Sequence, residues 1–136
     1  MSPLAKFIVD MRKKKGIRQK DLADAVGYEQ SYISALEVSA KGPPTREFIN
    51  KLVNTLNLEQ DEQDQLESAF KRSDRKFVIP ANAPETLYEL CYELRQVIDQ
   101  VLPSQIEMML NVLRLPNDIK LESSRAQIVK IITVRD

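Results

Sequence analysis

Histidine is absent from the 136-residue chain, and Cys91 is its only cysteine. These absences exclude the usual ligand sets of zinc sites and the Cys-His and Ser-His-Asp arrangements of nucleophilic catalysis. The sequence also contains no glycine-rich phosphate loop and no cluster of residues with metal-ligand spacing. We therefore predict a protein that is not an enzyme, binds no metal and needs no cofactor.

Glycine is scarce, with three residues, whereas Leu, Lys, Glu and Gln are abundant and 43% of the residues are hydrophobic. Glycine weakens helices, and the abundant residues are strong helix formers. The length fits one compact domain or a small domain with an appendage. We expect a mostly α-helical protein that can bury a core.

Apolar runs of about 20 residues, which a membrane-spanning helix requires, are missing as well. The N-terminal sequence places its apolar residues before the basic run Lys13–Lys15, which is the reverse of a secretory signal. A single cysteine fits a reducing compartment. We expect a soluble, cytoplasmic protein with no membrane association.

The net charge is zero, but it is unevenly distributed. Residues 1–58 carry ten Lys or Arg against six Asp or Glu, a net of +4, so residues 59–136 carry −4. This asymmetry favours contact of the first half alone with a polyanion. A net of +4 is also common on ordinary protein surfaces, so charge alone does not decide.

Capping residues and helical spacing predict five helices in the first half of the chain. Ser2 caps the first helix with Pro3 at its first position, and Gly16 ends it. Thr45 caps the fourth, and the fifth starts with acidic residues that suit a helix N-terminus. The second to fifth helices are predicted at about residues 19–25, 30–38, 45–56 and 60–71.

The stretch Gln19–Glu37 is the most informative part of the sequence. Its apolar residues keep helical spacing on both sides of Gly27, which suits the left-handed conformation of a tight turn. Ala23, in the second helix, is small where the third helix crosses it. These features are typical of a DNA-reading helix-turn-helix. The apolar residues are Leu22, Ala23 and Val26 before the turn and Ile33 and Leu36 after it.

Over about residues 4–58, with weaker support to Phe70, the sequence resembles the Cro/CI-like (XRE) family of helix-turn-helix repressors. The resemblance implies a five-helix Cro/CI-like DNA-binding domain. The residues that follow it predict a helical-hairpin oligomerisation region by themselves, so the expected fold is all-α. The resemblance also implies a buried or half-buried Arg12–Glu37 pair that bridges the first and third helices. Besides a proline, the matching positions are Arg12, Gly16, Gln19, Leu22, Ala23, Gly27, Ile33, Ser34, Leu36, Glu37, Leu52 and Leu56.

Three features depart from the family pattern. Arg18 and Glu29 stand where the family usually has hydroxyl residues that cap the second and third helices, and the loop Val38–Pro44 is one residue longer than usual. Arg18 has no acceptor for a backbone N–H, whereas the carboxylate of Glu29 can still cap the third helix. The details of DNA docking therefore stay open.

The third helix is the predicted reading helix, with its N-terminal end toward the base edges of the major groove. Gln30 suits adenine, Glu29 suits cytosine, and Tyr32 or Ala35 suits a thymine methyl group. Basic and polar residues around it suit the phosphates. A solvated polar face on a protein-binding bundle is the alternative. The predicted base-reading residues are Glu29, Gln30, Ser31, Tyr32, Ser34 and Ala35, and the predicted phosphate contacts are Lys14, Lys15, Arg18, Gln19, Lys20 and Lys41.

The second half predicts a helical hairpin. An apolar stripe follows a helix from about Pro84 to Val101, and Pro103 stops this helix. Ser104 and Glu107 form a capping box for a second helix, which Pro116 ends. The segment Ile128–Val134 fits either a strand or a helical turn. The stripe consists of Leu87, Leu90, Leu94, Val97 and Val101, and the buried residues of the second helix are Ile106, Met109, Leu110 and Leu113.

We expect residues 1–71 to form a helix-turn-helix DNA-binding domain, residues 72–83 a linker and residues 84–136 a C-terminal helical dimerisation region. Two helices alone bury too little surface, so the hairpin must pack on another subunit or on the first domain. We favour a homodimer with the apolar stripe at its interface, because a two-fold dimer reads two half-sites.

The predicted function is a sequence-specific transcriptional regulator of prokaryotic or phage type, a repressor that binds an inverted-repeat operator in double-stranded DNA. The alternative is a DNA-binding antitoxin or protein-interaction module whose C-terminal hairpin holds a partner protein. A small-effector pocket lined by Tyr88, Tyr92, Met108 and Met109 is a further alternative, although such residues more often pack against each other.

Overall fold

A computed structural model describes residues 1–119, with side chains described as far as Leu115, so the segment Ile128–Val134 lies outside the described residues. Residues 1–119 form seven helices and no strand, which confirms the all-α prediction. None of these helices has the length and apolar character needed to cross a membrane. The helices are α1 (Pro3–Lys14), α2 (Gln19–Val26), α3 (Gln30–Glu37), α4 (Arg46–Thr55), α5 (Gln60–Lys71), α6 (Glu85–Gln96) and α7 (Pro103–Ile119).

The chain divides into two compact units, with the boundary between Val78 and Ile79. The first unit holds the five predicted helices, and their caps explain their bounds. The Ser2 hydroxyl accepts a hydrogen bond from the Ala5 N–H at 3.1 Å, and the Thr45 hydroxyl accepts one from the Phe48 N–H at 3.3 Å. These bonds satisfy N–H groups that have no partner inside a helix.

A single hydrophobic cluster fills the first unit and draws on all five helices. Phe48 of α4 is completely buried, and each such side chain stabilises the fold by about 1.5–3 kcal/mol. Three further hydrophobic residues, Phe7, Val53 and Phe70, lie half-buried at its edge. The cluster consists of Leu4, Ile8, Met11, Leu22, Ala23, Val26, Ile33, Leu36, Phe48, Ile49, Leu52, Leu56, Leu58 and Leu66.

Two serine hydroxyls fasten the start of α1 to distant parts of the first unit. The Ser39 hydroxyl, in the loop after α3, accepts from the Ser2 N–H at 2.8 Å. The hydroxyl of buried Ser73, which follows α5, accepts from the Leu4 N–H at 2.9 Å and donates to the Ala69 carbonyl at 2.6 Å. The α3–α4 loop and the end of α5 are therefore held to the same end of α1.

Glu62 joins α5 to the end of α1. Its carboxylate accepts from the Glu59 N–H at 3.0 Å and lies 3.3 Å from the Lys14 ammonium and 3.6 Å from that of Lys15. The Glu59 N–H and the two lysines lower the pKa of the Glu62 carboxyl below its ordinary value. The ionised form is therefore favoured in the folded chain.

The second unit departs from the predicted hairpin at three places. Helix α6 ends at Gln96 instead of Val101, and the backbone of Val97 leaves the helical conformation with a φ of −119°. Helix α7 begins at Pro103, and the Gln105 side chain, rather than a Ser104–Glu107 box, accepts from the Leu102 N–H at 2.8 Å.

The third departure is that α7 continues through Pro116 to Ile119, so the prediction that this proline ends the helix is wrong. A proline removes only its own N–H from the helical ladder, and a helix can kink at it instead of stopping. The burial predicted on α7 is not made within the described residues of the single chain. Ile106, Met109 and Leu113 are exposed, and Leu110 is half-buried.

We expect Glu62→Gln to lower the melting temperature at neutral pH and to reduce its dependence on acid. A lowered carboxyl pKa contributes stability above the ordinary carboxyl range, and this stability is lost as the pH falls through the folded-state pKa. The measurement is thermal unfolding by circular dichroism from about pH 7 to pH 3, across the range of Glu pKa values. Asp61→Asn, which removes one charge from the same helical turn, is the matched control, and equal effects of the two variants would contradict the account.

Candidate nucleic-acid interface

Helices α2 and α3 pack against each other through a tight turn. Gly27 follows α2 in the left-handed conformation with a φ of 76°, and the Tyr28 N–H returns to the Ala23 carbonyl at 2.9 Å. The side chain of Ala23 is buried, as are Ile33 and Leu36 of α3. One face of α3 is thus seated in the core.

A network of hydrogen bonds fixes the C-terminal end of α3. Arg12 of α1 donates to both carboxylate oxygens of Glu37, from Nε at 3.0 Å and from a terminal nitrogen at 3.0 Å. Its other terminal nitrogen donates to the Ile17 carbonyl at 3.0 Å. The Arg12 side chain is 15% exposed and that of Glu37 is 5% exposed. This geometry has the bidentate form of strong arginine–carboxylate pairs.

Gln19, the first residue of α2, adds a third helix to this network. Its side-chain Nε2 donates to Glu37 Oε1 at 3.0 Å. The sequence predicts Gln19 as a phosphate contact, and sequence reasoning missed this bond to Glu37. One carboxylate therefore joins α1, α2 and α3, and it sets how α3 lies against the other two helices.

The N-terminal end of α3 faces away from the core. Glu29, Gln30 and Ser31 are exposed, and Ser34 and Ala35 are half-buried. The sequence leaves the Glu29 carboxylate open as a cap for α3, and in the structure its side chain makes no cap hydrogen bond. Its side chain is one methylene longer than those of Asp and Asn, which N-caps prefer. Its carboxylate therefore remains part of the exposed surface.

Tyr32 packs instead of projecting fully from α3. Its ring stacks on Tyr28 with centroids 5.0 Å apart, and both rings meet Phe48 edge to face at 5.6 and 5.0 Å. Burial, and secondarily Tyr28, raises the pKa of the Tyr32 hydroxyl. Sequence reasoning missed Tyr28, although an aromatic residue directly before a helix cap was an available signal. The two rings support the underside of α3.

The predicted phosphate contacts fall into two groups. Lys14 and Lys15 lie beside Glu62, and Arg18 lies beside Asp21 at 2.9 Å. The hydrogen bond from Arg18 lowers the pKa of the Asp21 carboxyl. Lys20 and Lys41 are exposed, and within residues 1–115 neither forms an ion pair. These two lysines offer the least engaged positive charge of the predicted set.

Arg18 precedes α2 without capping it, as its side-chain chemistry predicts. At the start of α2, the first backbone N–H groups therefore receive no side-chain cap from Arg18. Such groups carry the positive end of the helix dipole and suit a phosphate oxygen. The missing hydroxyl cap leaves room for an external acceptor.

Comparison with known proteins finds a similarity for most of the first unit. Residues 8–62 match the family model described as helix-turn-helix, which covers α2 and α3 completely. The match supports DNA binding rather than catalysis, and it spans less than half of the chain. No curated protein and no solved structure matches the sequence.

Removal of the Glu37 carboxylate leaves Arg12 and Gln19 without their acceptor. We expect Glu37→Ala to lower the free energy of unfolding by about 3–5 kcal/mol, because it strands a nearly buried cation. Urea unfolding followed by circular dichroism measures the loss. Asp10→Ala breaks the exposed Lys6–Asp10 pair and is expected to cost less than about 1 kcal/mol. Similar losses for the two variants would show that the network does not hold the fold.

Proposed function

We propose that the chain is a sequence-specific transcriptional regulator of the Cro/CI-like type, because residues 8–62 match a helix-turn-helix family model. In this proposal it acts as a repressor and binds an inverted-repeat operator in double-stranded DNA as a homodimer. The observation that carries the proposal is that the two ends of α3 differ in burial and in hydrogen bonding. Its C-terminal end is fixed by Glu37, whereas its N-terminal end is exposed and polar.

Base reading is assigned to the exposed end of α3. The Gln30 amide can donate to the N7 acceptor of adenine and accept from its N6 amino group in the major groove. Glu29 can accept from the amino group of cytosine. Ser31 and Ser34 can donate or accept, and Ala35 suits a thymine methyl group. Tyr32 contributes through the part of its ring that does not pack on Tyr28. Each good base contact supplies about 1–3 kcal/mol of discrimination.

Phosphate binding is assigned to the edges of the α2–α3 pair. The first N–H groups of α2, Gln19 and Lys20 form one contact region, and Lys41 beyond α3 forms another. The ion pairs of Lys14 and Lys15 with Glu62 partly neutralise the positive charge of these two lysines. We therefore assign them a smaller contribution to phosphate binding than Lys20 and Lys41.

Dimerisation is assigned to the second unit. Leu90 is 57% exposed and Val97 is 45% exposed, and Leu87, Leu94 and Val101 are half-buried on the same stripe. A groove of about 390 Å³ runs between this stripe and Met108 and Met109 of α7. Apolar surface of this kind is stabilised when another surface covers it. A second copy brings the two-fold symmetry that an inverted repeat requires.

Selection of binding sites from random duplexes tests the function. We expect the full chain to enrich an inverted repeat whose half-sites are separated by about one helical turn of DNA. A single half-site without a repeat would contradict the dimer, and no enrichment at low salt would contradict sequence-specific binding.

The assignment of α3 predicts different effects for two alanine variants. Gln30→Ala removes a base contact, so we expect it to weaken the selected site by about 1–3 kcal/mol and to relax the preference at one position. Lys20→Ala removes a phosphate contact, so we expect it to weaken all duplexes alike and to reduce the salt dependence. Binding isotherms on the selected site and a scrambled duplex distinguish these effects. Identical behaviour of the two variants would refute the assignment of α3.

The assignment of the second unit is tested by equilibrium sedimentation. We expect a dimer at micromolar concentration, and we expect Leu90→Glu to shift it strongly toward monomer because it places a charge on the apolar stripe. Gln96→Glu adds the same charge to an exposed position of α6 and is the control. A wild-type monomer at these concentrations would refute the dimer and favour the alternative, an antitoxin or interaction module in which the second unit holds a partner protein.

A further inference from the structure

The segment directly after α5 is fixed in place by Ser73. This serine is 6% exposed and is hydrogen bonded both to the Leu4 N–H and to the Ala69 carbonyl. Sequence reasoning treats residues from 72 onward as a linker, yet Ser73 is packed into the first unit. The chain therefore leaves α5 at a defined point, and the residues that follow start from a fixed position.

Asp74, Arg75 and Lys76 lie beside the α3–α4 loop. A shallow depression of about 580 Å³ is lined by these three residues together with Gly42 and Pro43 of that loop. A second, small cavity of about 20 Å³ has both Lys41 and Arg75 among its lining residues. The linings of the two cavities therefore place Arg75 and Lys76 beside the loop that carries Lys41.

The α3–α4 loop is in turn bonded to α3. The N–H groups of Ala40 and Lys41 both donate to the carbonyl of Ala35, at 2.9 and 3.4 Å. Ala35 is one of the residues assigned to base reading. Arg75 and Lys76 are therefore connected to α3 through a single loop whose position is fixed at its start by hydrogen bonds.

The charges on this surface are mostly positive and accessible. Lys41, Arg75 and Lys76 are exposed and, within residues 1–115, none of them forms an ion pair. Asp74 is the one carboxylate that lines the same depression. Clustered cations that no carboxylate engages suit a polyanion with closely spaced charges, and the DNA backbone is such a polyanion.

We propose that the DNA-contacting surface of the first unit extends past the α2–α3 pair onto Arg75 and Lys76, which bind backbone phosphates beyond those held by Lys41. This inference rests on the proposed function. The contacts carry no sequence information, because they are made to phosphates only. They lengthen the footprint of each domain along the backbone and leave the recognised sequence unchanged.

The test compares two double variants of the full chain that lose the same charge. Arg75→Ala/Lys76→Ala removes the proposed contacts. Lys71→Ala/Arg72→Ala removes two cations from the end of α5, where Arg72 lines a different groove together with Lys6 and Asp10 of α1. All four residues are exposed, so we expect both double variants to keep the wild-type melting temperature.

For Arg75→Ala/Lys76→Ala, we expect the slope of log K against log salt concentration to become shallower by about 1.8 for each protomer, and so by about 3.6 for the proposed dimer, since each phosphate contact contributes about 0.9. At about 0.1 M salt, this corresponds to a loss of binding of roughly a thousandfold on the operator and on a scrambled duplex alike. The control double variant should keep the wild-type slope. Asp74→Asn should bind both duplexes more tightly than wild type, because it removes the neighbouring negative charge.

A wild-type slope for Arg75→Ala/Lys76→Ala, or the same change in both double variants, would overturn the inference. A wild-type chain that selects an operator together with either result would leave the proposed function intact and refute only this extension. A wild-type chain that binds no duplex would refute both. Binding of an acidic protein to the basic surface, without any DNA binding, would also refute both the proposed function and this extension.

Discussion

The carboxylate of Glu37 is the constraint on which the rest of the interface depends. It accepts two hydrogen bonds from Arg12 and one from Gln19, and so it connects three helices at one point. A nearly buried charge is costly unless it is fully paired, and this requirement gives the helices one preferred arrangement. The core residues of α3 stabilise the fold through apolar burial, whereas Glu37 sets the orientation of α3 and is costly to remove. In the proposed function, the exposed end of α3 serves as a reading surface, and the fixed opposite end holds that surface in one orientation.

The basic residues of the first unit fall into two groups, those that form ion pairs among the described residues and those that are exposed without one. Lys14 and Lys15 are paired with Glu62 and join α1 to α5, while Lys20 and Lys41 face outward beside the α2–α3 pair. A count of basic residues therefore overestimates the positive charge that is available for phosphate binding. In the proposed function, the surface that binds DNA is small, and a symmetric dimer doubles it. The exposed apolar stripe of the second unit is consistent with that requirement.

The sequence predicts the fold of the first unit well, because its signals are local. Apolar spacing, caps and the turn at Gly27 depend on neighbouring residues and are read directly from the chain. Contacts between helices are harder to predict, because they depend on how the helices are finally placed. The bonds of Gln19 and Glu62 and the stacking of Tyr28 belong to this group. The end of α7 was mispredicted for a different reason, since Pro116 disfavours a helix without forbidding it.

The central claim is that the surface around α2 and α3 contacts DNA, and amide chemical-shift mapping by NMR tests it most directly. The isotopically labelled full chain is titrated with a short duplex, first of random and then of selected sequence. The account predicts the largest shifts at residues 18–20, 29–35 and 41, with those at residues 29–35 growing further on the selected duplex. Shifts confined to α5, α6 and α7, with residues 29–35 unchanged, would contradict it.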